Sequence, residues 1–415
     1  FNVRNKLNIY GYYSRDRFAF NENEKYGYGN MNVSAHWRSF LNENLIGNFS
    51  VGYDHYDYLN DETTHPLEAA RLSFAINQYF AKANFSLNQE KHKLKFGAST
   101  LFYNISSGKY EPLGKESVVA FDELQKDKAL ESAFYLDDEW EVTPKFSLNA
   151  GIRYSLYNAL GPRSYYAYQP GMLPSESTVM DTVKVSGNKV LQTYHGPEFR
   201  LSGRYAFTDD FSVKAGFNTM RQYIHKVSNT SIMSPTDIWK LSDANIKPQQ
   251  GWQLAGGFYY HTPDGMYEFA LEGYYKKMNH LYQYAGRATE SAPQDKWESF
   301  HHDGQGRSYG FEAFIERTTD VFSMSLGYTL SWSERRCEAI WYGWYPDRFD
   351  NRHKVDFAIT YHPNPLIDIY ATWVFHSGNR YTLDTHYSVG SITEIPPPSG
   401  SNKNVQTSYD VNYVS

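Results

Sequence analysis

The sequence predicts an all-β fold, a transmembrane antiparallel β-barrel. Three observations lead there: side chains alternate in polarity with a period of two in segment after segment, aromatic residues are abundant, and the connections switch between short and long.

The alternation is clearest over residues 146–156. Phe146, Leu148, Ala150, Ile152, Tyr154 and Leu156 fall on one face, and Ser147, Asn149, Gly151, Arg153 and Ser155 on the other. Successive strand side chains point to opposite sides of a sheet, so this pattern suits a wall with lipid on one side and water on the other. Residues 322–332 repeat it, with Phe322, Met324, Leu326, Tyr328, Leu330 and Trp332 against serines, Gly327 and Thr329. So do residues 198–207, and weaker copies run through 45–53, 94–102, 252–260, 267–275, 355–361 and 367–375.

Composition agrees once the membrane type is chosen. A mean hydropathy of -0.64 and the lack of any apolar run near ~20 residues exclude a spanning helix. Barrel strands need apolar residues only at every second position. The 37 Tyr, 26 Phe and 9 Trp exceed what an ordinary globular domain uses, and aromatic girdles at the two lipid interfaces would absorb them. A net charge of -6 and scattered Lys and Arg argue against a nucleic-acid partner. The single cysteine, Cys337, excludes an intrachain disulfide framework and a cysteine metal cluster. No signal peptide opens the chain, and Phe1 begins in a strand-like stretch, as expected of a fragment or mature remnant.

Short connections at 42–44, 88–91, 143–145, 208–210, 262–265, 318–320 and 362–366 are built from turn formers. Long ones lie between them at 59–66, 106–128, 158–194, 226–248, 284–306 and 333–351. Periplasmic turns and extracellular loops of an outer-membrane barrel have this rhythm. The reading gives about 15 strands of roughly ten residues each, an odd number for a barrel that must close on itself. Residues 378–415 read as a long loop, with Pro396, Pro397 and Pro398, followed by the alternating start of a strand at 405–414. The expectation is one barrel domain over residues 1–415, incomplete at both ends, and part of a barrel of about 22 strands with a plugged lumen.

Several stretches carry a family resemblance. Ala133-Phe134-Tyr135-Leu136-Asp137-Asp138-Glu139-Trp140, followed by Leu148-Asn149-Ala150-Gly151-Ile152-Arg153-Tyr154, resembles a strand pair of TonB-dependent receptor barrels. Ile246-Lys247-Pro248-Gln249 is similar to that family's loop-to-strand entry, and Gly306-Arg307-Ser308-Tyr309-Gly310-Phe311-Glu312 and Phe349-Asp350-Asn351-Arg352-His353-Lys354 to its late strands. Ser377-Gly378-Asn379-Arg380 resembles the same region in members from Bacteroidetes-like bacteria. The order and spacing of these pieces, from Ala133 to Leu383, carry the resemblance. It implies a barrel in outer-membrane lipid and lipopolysaccharide that imports a scarce solute. An inner-membrane complex would supply energy through a plug domain that this chain lacks, and a surface-exposed lipoprotein is a further partner. The alternatives are a passive porin-like channel and a surface adhesin that binds protein.

Candidate chemistry is sparse, with no nucleophile elbow, phosphate-cradling glycine loop or paired metal-ligand helix motif. The reading is therefore not an enzyme, with no cofactor and no metal. Asp54, His55 and Asp57 could converge on a cation, but a strand puts Asp54 on the face opposite His55 and Asp57. His301, His302 and Asp303 read as a solvated loop. Glu198, Arg200, Arg204, Glu312, Glu316 and Asp356 fall on polar strand faces, as lumen walls require. Two aromatic loops are the candidates for ligand contact: Trp341, Tyr342, Trp344 and Tyr345, and Tyr165, Tyr166 and Tyr168. Aromatic faces stack on sugars, planar chelates and peptides at low entropy cost.

Overall fold

The computed structural model describes residues 4–19, 21–227, 238–284 and 301–380. Fifteen long strands form one meandering antiparallel sheet. They are β1 Asn5–Ala19, β2 Glu24–Phe40, β3 Leu45–Glu62, β4 Ala70–Asn88 and β5 His92–Pro112. Next come β6 Asp127–Thr143, β7 Phe146–Leu160, β8 Val190–Ala206, β9 Phe211–Gln222 and β10 Gln249–His261. The last are β11 Tyr267–Asn279, β12 Gln305–Thr318, β13 Phe322–Cys337, β14 His353–Asn364 and β15 Ile367–His376. Each pairs with the strand before it, and no pairing joins β1 to β15 among the described residues. The closing strand expected at 405–414 and the triple-proline loop lie outside the described residues.

The short turns are made by one recurring device. Asn42 Oδ1 accepts from the backbone N–H of Asn44 and Leu45, and Thr143 Oγ1 from those of Lys145 and Phe146. Thr208, Thr319 and Asn364 accept likewise from Phe211, Phe322 and Leu366. A short polar side chain that satisfies the N–H two or three residues on reverses the chain without needing the next strand.

On the opposite rim the strands outrun the expectation. β5 has 21 residues and β3 18, well beyond the about ten that cross a bilayer, because ladder pairing continues into water. Residues 106–112 and 333–337, expected as loop, are strand. On this rim β2 begins at Glu24, only a few residues after β1 ends at Ala19, which breaks the rhythm there.

The outward face carries two aromatic bands. On the long-loop side Trp252, Tyr275, Tyr309 and Trp332 stack from β10 to β13, and Tyr53, Tyr79 and Phe102 continue the band on β3 to β5. On the turn side Trp37, Phe49, Phe85 and Phe96 form one row, and Tyr205, Phe207 and Phe211 another. Along β13, Phe322 and Trp332 are ten residues apart. At ~3.4 Å per residue and ~40° of tilt this spans about 26 Å, close to the apolar band of an outer-membrane barrel.

Candidate functional site

Two of the long loops, 161–189 and 223–248, fold back onto the inner wall at the extracellular mouth. Alternation points Tyr103 and Ile105 of β5, Ala129 of β6 and Tyr157 of β7 into the lumen, where Tyr223 and Leu241 of the 223–248 connection cover them. All six are buried. The Tyr157 and Tyr223 rings stack in parallel with centroids 4.5 Å apart. Tyr157 donates to the carbonyl of Ser242 at 2.7 Å, Tyr194 to that of Asp243 at 2.7 Å, and the hydroxyls of Ser155 and Tyr223 bond at 2.7 Å. Within that connection Ile224–Val227 pairs with Ile238–Leu241, so its described residues form a two-stranded hairpin laid against the barrel.

A dry ionic cluster fixes the hairpin. Asp127, at the extracellular tip of β6 and 1% exposed, accepts from Arg163 at 2.6 Å and pairs with Lys240 at 3.3 Å. Its carboxylate also accepts from the Leu241 N–H at 3.2 Å and the Ser107 hydroxyl at 3.3 Å. Arg163 reaches Asp243 at 2.8 Å with its other nitrogen. Asp243 Oδ1 in turn accepts from the N–H groups of Asn245 and Ile246. Two connections, 161–189 and 223–248, thus meet on Asp127 of β6 and on Asp243. Burial alone would push the Asp127 carboxyl up, but Arg163, Lys240 and the Leu241 N–H together hold it below the usual carboxylate value. His225, buried against Ser242 Oγ at 2.9 Å, is pushed down to about 4 by burial and then by His280, so it is neutral at pH 7.

Beside this cover, the lumen face of β1 to β4 is aromatic. Phe18, Tyr26, Tyr28, Tyr58 and Phe74 form a run of neighbouring rings with centroids 4.9 to 6.5 Å apart. Tyr58 is buried within it, and Tyr56 joins through Phe74. Sequence reasoning assigned the aromatic excess to lipid girdles and missed this patch. The signal was present: these residues have the parity of Ser34 and Asn32, which face the lumen, and not that of Val33 and Val51, which face lipid.

The two predicted aromatic loops are placed differently. Tyr165, Tyr166 and Tyr168 lie on a hairpin, Arg163–Tyr168 against Val179–Val185, whose first residue is the Arg163 of the ionic cluster. Asn245 donates to the Tyr166 carbonyl at 3.2 Å, which ties this hairpin to the lumen cover. Trp341 and Tyr342 stand out in water, Tyr342 at 84% exposure, while Trp344 lies over the Arg307 guanidinium at 4.4 Å. Tyr345 donates to Gln283 at 2.5 Å, and burial pushes its hydroxyl up to about 12.

Asp54 accepts from Asn32 on the lumen face, whereas His55 meets Asp57 at 3.1 Å and Asn77 at 2.8 Å on the other, the split that alternation predicts. Asp303 pairs at 2.7 Å with His280, which has a positive φ of 60°, and the side chain of His301 lies outside the described residues. Among the described residues no group of three or more His, Cys, Asp or Glu side chains is placed to hold a metal ion.

The polar strand faces line the lumen. Arg153 bridges Glu198 at 2.8 Å and Glu131 at 3.0 Å, and Glu131 also accepts from Tyr103. Lower in the wall Lys93 and Lys95 share Glu139, and Lys354 pairs with Asp356 at 2.9 Å. Glu316 accepts from Thr318 at 3.2 Å. Arg200, Arg204 and Glu312 alternate with lipid-facing residues on β8 and β12. Asp350 is a further buried carboxylate: it accepts from the Ser333 N–H at 2.8 Å and pairs with Arg352 at 2.9 Å and Arg380 at 3.4 Å. It joins residues 349–354 to residues 377–380, two of the stretches that carry the family resemblance.

The fold recurs in solved structures of distant sequence. The copper transporter OprC is similar over 88% of this chain and 59% of its own, with 11% identity and a TM-score of 0.61. The ferric yersiniabactin uptake receptor FyuA from Yersinia pestis is similar over 87% and 51%, with 13% identity and a TM-score of 0.56. The ferripyoverdine receptor of the Pseudomonas aeruginosa outer membrane is similar over 90% and 58%, with 12% identity and a TM-score of 0.55. The chain therefore spans somewhat more than half the length of these structures. No curated protein matches it by sequence. Residues 1–413 match the family of TonB dependent receptor-like β-barrels, and the chain belongs to that family, as a barrel of the bacterial outer membrane.

Proposed function

We propose that this barrel serves an energised importer, in which extracellular loops capture a scarce small solute and pass it into a polar lumen. The observation that carries this reading is the loop cover. Two connections, 161–189 and 223–248, are drawn inward onto the wall by Asp127 and Asp243, beside a lumen-facing aromatic patch that a solute would meet. Tyr165, Tyr166 and Tyr168 would contact the solute on the cover, and Trp341, Tyr342, Trp344 and Tyr345 at the outer rim. Energy would reach the lumen from an inner-membrane complex acting on a plug domain in the longer protein. The acidic, aromatic loops would dock a surface lipoprotein.

The similar structures are a copper transporter and receptors for ferric yersiniabactin and ferripyoverdine, which makes metal ions and their chelates the first solutes to try. The test is accumulation of labelled ferric chelates and copper by cells with and without the gene, before and after collapse of the proton gradient. Loss of uptake in both arms supports the reading. Uptake that survives the uncoupler makes the barrel a passive channel. Uptake of the whole panel that is unchanged by deletion removes these solutes and favours the adhesin.

A further inference from the structure

The outward face of β10 to β13 is not uniformly convex. Ala313 on β12 is flanked by Leu271 across one ladder and Tyr328 across the other, and its short side chain leaves a notch between them. The result is a groove of about 430 Å³ walled by Phe258, Tyr260, Leu271, Ile315, Leu326 and Tyr328, within the ~300–1,000 Å³ typical of small-ligand clefts. It lies on the turn side, level with the aromatic pair Tyr260 and Phe269, so it opens to the periplasmic leaflet.

The same strand supplies a cation at the groove's periplasmic end. Ala313, Ile315 and Arg317 alternate on one face of β12, which places Arg317 about 13 Å from Ala313 along the strand. The Arg317 guanidinium lies over the Tyr267 ring at 5.4 Å and the Phe322 ring at 4.7 Å, rings of the two neighbouring strands. An arginine held at the interface by two rings, with no carboxylate partner among the described residues, suits a phosphodiester at its outer guanidinium nitrogens, and the apolar groove below it suits an acyl chain.

We propose that this groove is a binding site for one glycerophospholipid of the periplasmic leaflet, with an acyl chain on Ala313 and the headgroup phosphate on Arg317. The site is separate from the lumen and does not rest on the transport reading. To test it, the full-length protein is reconstituted in nanodiscs of phosphatidylethanolamine and phosphatidylglycerol, released into mild detergent, and its retained lipid counted by native mass spectrometry. The wild type should keep one phospholipid. Ala313→Phe should reduce retention about tenfold, the change expected when an apolar chain loses its seat, and Arg317→Ala should reduce it several-fold. Ala150→Phe, an equal change on the lipid face of β7, should leave it intact, and thermal melting of each variant confirms folding. Equal retention by folded Ala313→Phe and Ala150→Phe would overturn the proposal. So would loss of no lipid on removing Arg317. For protein taken directly from the outer membrane, a retained mass belonging to lipid A in place of a phospholipid would overturn it as well.

Discussion

Charged side chains at the extracellular mouth and those on the lower lumen wall are of the same kinds, yet they do different physical work. Asp127, Arg163, Lys240 and Asp243 are almost wholly out of water, whereas the Glu139 side chain is 41% exposed beside Lys93 and Lys95. A buried ion set is costly to assemble and more costly to break, because the partner left behind stays uncompensated. An exposed pair is screened and contributes little. The mouth therefore uses charge to fix the shape of its loops, and the wall uses it to keep the lumen polar.

The largest effect should follow from Asp127→Ala, which removes the carboxylate that Arg163 and Lys240 share in a dry site. Breaking such a set costs about 3–5 kcal/mol, read as faster amide exchange across 161–168 and 238–247 with the barrel melt unchanged. A pH titration should come next. The folded value of His225 is depressed to about 4 against an unfolded value of about 6.5, so the unfolded hairpin binds the proton first. Protection of the hairpin should be full above pH 6.5 and fall by on the order of 3 kcal/mol towards pH 4, and His225→Gln should remove this window. Asp127 acts in a lower window. Its folded value is depressed, so its contribution is present above the unfolded carboxylate value and is lost only as pH falls below that.

Tyr157→Phe keeps the ring stack and deletes the hydrogen bond to Ser242, for about 1 kcal/mol of local opening. The smallest effect belongs to the wall: Glu139→Gln should alter stability by less than ~1 kcal/mol while changing the lumen charge. A Glu139→Gln loss comparable to that of Asp127→Ala would erase the distinction between the two regions.

The wall was legible in the sequence because a strand's face follows from parity alone. Fifteen strands, the turns at Asn42, Thr143 and Thr208, and the opposed faces of Asp54 and His55 all follow from neighbours in the chain. The mouth was not legible. Asp127 meets Lys240 across 113 residues, and Tyr157 meets Ser242 across 85, and no local pattern encodes such partners. Tyr26, Tyr28 and Tyr58 fall between these cases, since their parity was readable but aromatic abundance had been assigned to lipid. The long strands past the membrane were underestimated for a related reason. Residues 106–112 carry the serines, glycine and proline of a loop, yet pairing with β4 holds all but Ser107 and Gly108 in the ladder.

The most direct test of the loop cover is amide exchange at neutral pH on the full-length protein in outer-membrane vesicles. If the cover is folded onto the wall, residues 238–247 exchange as slowly as the neighbouring ladder of Asp127–Thr143 and far more slowly than Trp341 and Tyr342. Exchange of 238–247 at the rate of Trp341 and Tyr342 would contradict the account, leaving an open mouth with no loop seated in it.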